Sequence, residues 1–117
     1  MPSWINLIIE QDELNLTPAP GQGTYQQPAT NTLVAVHDAN VQKGREALSR
    51  TTDEFLMTTN WRLLAGGTVV MEQPRYVVIR DTINHWAHHR GQMTVYLRLM
   101  GAQVPALYGP SADDQRF

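Results

Sequence analysis

The 117-residue chain contains no cysteine. Disulfides, thiolate nucleophiles and cysteine-ligated zinc are therefore excluded, and any metal site must use His, Asp, Glu or backbone ligands. Positive charge is not in excess either: nine Lys and Arg stand against eleven Asp and Glu, for a net charge of -2. Nucleic-acid binding calls for a basic patch, so the balance gives no electrostatic case for such a partner. No apolar run approaches the length of a bilayer span, so no membrane partner is expected. The apolar stretch Trp4–Ile9 has no basic region before it and no small-residue cleavage site after it, so it does not read as a signal peptide, and the default compartment is the cytoplasm. What remains, 42% hydrophobic and 17% charged residues, is the composition of a globular protein. The length fits a single domain over 1–117 with a core of its own.

The hydrophobic pattern predicts a mainly helical chain. Pro2-Ser3 opens a short helical pattern carrying Trp4, Ile5, Ile8 and Ile9 that fades at Asn15. Residues 15–30 hold Pro18, Pro20, Gly21, Gly23 and Pro28 without periodicity and read as a linker-like loop. A second helix follows from Asn31, with a stripe of Leu33, His37, Val41, Gly44 and Leu48. Thr51 and Glu54 stand at capping-box spacing, at the start of a short helix running toward Trp61. Gly66-Gly67 forces a turn, and Thr68–Met71 is briefly extended. The principal helix starts near Pro74 and runs to about Met100, with Gly101 as its C-terminal cap. Gly91 inside it is expected to mark close packing against a neighbour. Residues 102–117 form an irregular tail.

That principal helix carries the most informative motif. Val78, Thr82, His85, His89, Gln92, Tyr96 and Leu99 alternate steps of four and three and draw one stripe. Its middle is polar, and polar side chains on a stripe facing a core need partners. His85 and His89 are one turn apart, which stacks two imidazoles where they could share one metal ion. The bland alternative is two core histidines bonded to Gln, Tyr or backbone.

Several segments carry a family resemblance. Asn84-His85, His88 to Gln92, Val95 to Arg98, Pro105 and Tyr108 to Asp113 look like the last helix and tail of one helical family. Asp38-Ala39-Asn40, Trp61, Gly66-Gly67 and Pro74-Arg75 fit the same pattern, as does Pro2-Ser3-Trp4 followed by Gln11 to Leu14. The chain resembles the DinB-like (DinB/YfiT) family of metal-binding four-helix bundles. The resemblance implies an all-α helical bundle. It also implies a divalent metal, nickel or zinc, held by three histidines, two of which fall on His85 and His89. The family's third histidine lies on its second helix, upstream of the segment resembling Trp4, where this chain has no counterpart. The implied bundle is therefore shortened at its N-terminus: either the sequence continues upstream of Met1, or this is a truncated relative.

Other candidates are weaker. His37 could complete a three-histidine site, with a packed core histidine as the alternative. Gln92 and Tyr96 could orient a ligating histidine as its hydrogen-bond partners, or form a polar network without chemistry. Arg90 could meet an anionic substrate or be a surface arginine. Asp38 and Asn40 are weak ligand candidates, and Glu10, Asp12 and Glu13 read as a solvated patch. Trp4, Trp61 and Trp86 read as core or interface anchors. A single chain offers too few long helices to cover the last stripe, so a homodimer completing the bundle is expected. The functional expectation is a metal-dependent transferase or hydrolase acting on an unknown small molecule. Its alternative is a non-catalytic binding or structural homodimer that has lost the metal.

Overall fold

The computed structural model of the protein describes residues 3–17 and 27–116. The chain forms two compact units, residues 1–82 and 83–117, described separately below. Of the linker expected over 15–30, residues 18–26 lie outside the described residues.

The first unit contains α1 (Ser3–Glu10), β1 (Glu13–Asn15), α2 (Leu33–Arg50), α3 (Asp53–Thr58), β2 (Asn60–Ala65), β3 (Thr68–Pro74) and the start of α4 (Arg75–Leu99). Helix α1 buries Ile5 and Ile8 and packs on α2, whose buried Gly44 and Ala47 keep the contact close. Each fully buried aliphatic side chain contributes about 1.5–3 kcal/mol. Trp61, Val78 and Ile79 complete the core, and the Trp4 ring lies 6.4 Å from that of Trp61. A three-stranded sheet runs in the order β1-β2-β3, parallel between β1 and β2 and antiparallel between β2 and β3.

The expectation of an all-α bundle is therefore corrected: the fold is α+β, not a pure four-helix bundle. The cause is local. Gly66 and Gly67 have φ of +58° and +78°, the paired left-handed geometry of a tight hairpin. That hairpin turns Thr68-Val69-Val70, rich in β-branched residues, back on Asn60–Ala65. In β2, buried Trp61 alternates with exposed Arg62 and half-buried Leu63, although the same residues continue a helical pattern from α3. The expected extension over Thr68–Met71 is thus one arm of a hairpin. The expected tail of α1 at Glu13–Asn15 is the third strand.

Helix boundaries follow side-chain chemistry. The cap of α3 is Thr52, whose Oγ1 accepts from the Phe55 backbone N–H at 3.2 Å, one residue later than the expected Thr51–Glu54 box. Helix α4 ends at Leu99 and is capped, as expected, by Gly101, with φ of +71°. The Gly101 N–H reaches the Arg98 carbonyl and the Ala102 N–H reaches that of Leu97, the paired bonds of a Schellman cap. No helix of the described residues is long and apolar enough to cross a membrane.

The second unit consists of the rest of α4 and residues 102–116, which carry no helix or strand. This tail is held by specific bonds. Asp113 accepts from the Val104 N–H at 2.9 Å and pairs with Arg98 at 2.6 Å. Asp114 accepts from the Ala106 N–H at 3.1 Å and takes both a 2.8 Å and a 2.7 Å bond from Arg116. Ser111 Oγ donates to the Val104 carbonyl at 2.6 Å.

Candidate metal centre

Helix α4 places His85 and His89 one turn apart, and their Nε2 atoms converge to 2.6 Å. The ring centroids are 4.4 Å apart. His89 Nδ1 lies 2.8 Å from Oε1 of Gln92, a further near-turn along the helix. An amide oxygen only accepts, so Nδ1 of His89 carries the proton and donates to it. In the neutral ring Nε2 of His89 is then left with a free lone pair, directed at His85. The contact between the two Nε2 atoms accordingly places a proton on Nε2 of His85.

This donor set suits a divalent ion, because neutral imidazole nitrogens are ligands for zinc and nickel. The 2.6 Å separation of the two Nε2 atoms is that of a hydrogen bond, so the rings would have to part for both atoms to hold one ion. Both side chains are exposed. A metal would take the place of the shared proton: His85 would have to carry its proton on Nδ1 for both Nε2 lone pairs to be available to an ion.

The other sequence candidates fall in different places. Gln92 meets His89 as expected, whereas Tyr96 is 65% exposed further along the stripe. His88 is exposed, with its ring centroid 5.4 Å from that of His89 and 6.4 Å from that of His85. His37 belongs to the first unit, is exposed, and lies with Nδ1 3.1 Å from Oδ1 of Asp38. Among the described residues no three His, Asp or Glu side chains gather closely enough to hold a metal. The stripe on α4 departs from its expected role, because only Val78 at its start is buried while His85, His89, Gln92, Tyr96 and Leu99 are exposed. Gly91 is not packed closely, since a Cβ built there meets open space. Arg90 lies over the Tyr108 ring at 4.6 Å and anchors the tail.

Two features had no counterpart among the expected site residues. Arg75 is buried at the junction of α1, α3 and β3. Its guanidinium donates to the carbonyls of Ile8 and Gln11, to Asp12 at 2.7 Å and to Thr59 Oγ1 at 3.0 Å, and stacks 4.8 Å from the Phe55 ring. Asp12 is thus one arm of this anchor as well as part of a solvated patch. A cleft of about 320 Å³ opens beside it, floored by Ile9, Ala47 and Phe55 and crossed at its rim by the 2.8 Å pair of Arg50 with Glu10. No signal in the sequence links these residues, which lie far apart along the chain.

A sequence profile of the DinB family matches residues 2–116. The uncharacterized protein YrdA of Bacillus subtilis (strain 168) is 42% identical over 43 residues, covering 37% of this chain. The match spans 26% of that relative's length. No solved structure matches the chain significantly.

Proposed function

This chain belongs to the DinB family, and on that premise we propose that it binds a divalent metal ion through Nε2 of His85 and Nε2 of His89. The observation that carries the reading is the convergence of the two nitrogens to 2.6 Å, with Gln92 fixing the ligand tautomer of His89. Both rings lie at the surface. A bound divalent ion of the zinc or nickel type supplies Lewis-acid polarisation or an activated water, the chemistry of a hydrolase or transferase. The chain's own part is to present two neutral imidazoles and hold one of them by its distal nitrogen.

A non-catalytic role is the second reading, and one observation favours it. The histidines are exposed, whereas catalysis gains most where water is excluded. In that case the metal, if bound, serves assembly or sensing rather than turnover.

The test is metal analysis of untagged protein purified without a nickel column. Stoichiometric zinc or nickel, absent from the His85→Ala, His89→Ala double variant, supports the reading. Protein that stays metal-free after incubation with zinc or nickel and desalting overturns it.

A further inference from the structure

We propose that the second unit carries a binding groove for a small carboxylate with an apolar body, independent of the metal-binding reading. The groove lies between α4 and the tail and has a volume of about 420 Å³. Ligand pockets span roughly 300–1,000 Å³. Gly91 and Thr94 form its helical wall, and Val104, Pro105, Leu107 and Tyr108 line the tail side. Both walls belong to this one unit. At about 100° per residue, Gly91 and Thr94 lie roughly 120–180° around α4 from His85, so the groove is on the side of the helix away from the histidine stripe. It is formed by the tail folding back on α4.

The first argument is Gly91. It sits inside a 25-residue helix, where glycine is a poor helix former. Neither backbone nor packing among the described residues calls for it. Its φ is not positive, and a Cβ built there meets no atom within 4 Å. What the absent side chain does is leave bare backbone and open volume on the groove wall, a use of glycine where a ligand approaches the main chain closely. Thr94 Oγ1 donates to the Gly91 carbonyl at 2.7 Å, so the hydroxyl of this wall is already bonded. The lining thus suits an apolar body.

The second argument is charge. Tyr108 lines the groove, and the Arg90 guanidinium lies over its ring at 4.6 Å. All eleven Asp and Glu of the sequence fall within the described residues, and none of them pairs with Arg90. Arg98 and Arg116, the other cations of this unit, each hold a tail carboxylate. One unopposed guanidinium balances one negative charge, and its planar fork fits a carboxylate through two parallel hydrogen bonds. The groove and the cation beside it therefore match a molecule that is apolar along its length and anionic at one end.

The experiment is a titration of the zinc-free, untagged full chain with 3-phenylpropionate and, separately, with its neutral amide, followed by backbone amide shifts in nuclear magnetic resonance. The acid should give saturable shifts grouped at Gly91, Thr94, Leu107 and Tyr108, and the amide should bind at least tenfold more weakly. Gly91→Leu replaces a poor helix former and puts a side chain into the open volume, so helix content by circular dichroism should stay native while binding is lost. Arg90→Gln should weaken the acid at least tenfold, to the level of the amide, and Arg90→Lys, which keeps the charge, should recover part of that loss. No saturable shifts, shifts centred on His85 and His89, or undiminished binding in Gly91→Leu would overturn the groove. Equal affinity for acid and amide would overturn the carboxylate assignment. Because zinc is absent throughout, neither result depends on the metal site.

Discussion

The guanidinium of Arg75 donates to the backbone carbonyl of Ile8, 67 residues earlier in the chain. The same side chain holds Gln11, Asp12 and Thr59, so it closes the end of α1 onto the hairpin from which α4 departs. Two of its four partners are backbone carbonyls, and Asp12 is 86% exposed, so the ion pair itself contributes little. Arg75→Met should destabilise the protein by about 3 kcal/mol, since each buried carbonyl left without a donor costs roughly 1–3 kcal/mol. Arg75→Lys should recover only part of this, having no planar fork to reach several acceptors. Asp12→Ala should cost about 1 kcal/mol or less. Urea denaturation of the three variants reads these differences, and equal losses for Arg75→Met and Asp12→Ala would contradict the assignment.

The hairpin gives a backbone prediction. Gly67 has φ of +78°, a region a β-branched residue reaches only under strain. Gly67→Val should lower stability by about 1–2 kcal/mol, the cost of left-handed geometry for an ordinary residue. Gly66→Asn should be tolerated, because Asn suits the first central position of such a turn. Thermal unfolding of both variants checks this, and a neutral Gly67→Val would mean the turn is not formed as described.

How much of this was legible in the sequence depends on range. The long helix, its Gly101 cap and the Gly66-Gly67 turn are written in local chemistry and were readable. The His85–His89 pair was readable from its spacing and Gln92 from its place on the same stripe. The sheet was not, because Trp61 to Ala65 satisfies a helical and an alternating pattern equally, and Glu13–Asn15 is too short to show either. Arg75 was missed as an anchor because three of its four partners lie 63 to 67 positions away and no local pattern links them. The exposure of the α4 stripe was missed too: periodicity shows which residues share a face, not what covers it.

The tail gives a pH prediction. The Val104 N–H, and then Arg98, hold the Asp113 carboxyl below its ordinary value. Arg116, and then the Ala106 N–H, do the same for Asp114 more strongly. A carboxylate whose folded pKa is depressed stabilises its fold fully above the unfolded value, about 3.9, and loses that contribution as pH falls through the folded one. The tail should therefore stay closed from neutral pH down to about 4 and open progressively below it. Nuclear magnetic resonance of the Val104 and Ala106 amides against pH should show their protection falling only in that acid range. Loss of protection already near pH 6 would contradict the clasp.

Gln92 should act on metal affinity without being a ligand. Gln92→Leu removes the acceptor at His89 Nδ1 and should weaken zinc binding about 10- to 100-fold, as is typical for a ligand's hydrogen-bond partner. The number of ions bound should not change, and Gln92→Glu should retain tight binding, since a carboxylate also accepts from Nδ1. Isothermal titration with zinc separates the outcomes, and unchanged affinity in Gln92→Leu would remove Gln92 from the site.

The most direct test of the central claim is the long-range hydrogen–nitrogen correlation spectrum of the imidazoles, recorded with and without zinc. It reports each ring nitrogen of His37, His85, His88 and His89 separately. Zinc is predicted to shift Nε2 of His85 and Nε2 of His89 to the metal-bound position and leave Nδ1 of His89 protonated, with His37 and His88 unmoved. Shifts confined to His37 or His88, or none at saturating zinc, would contradict a metal centre on this helix.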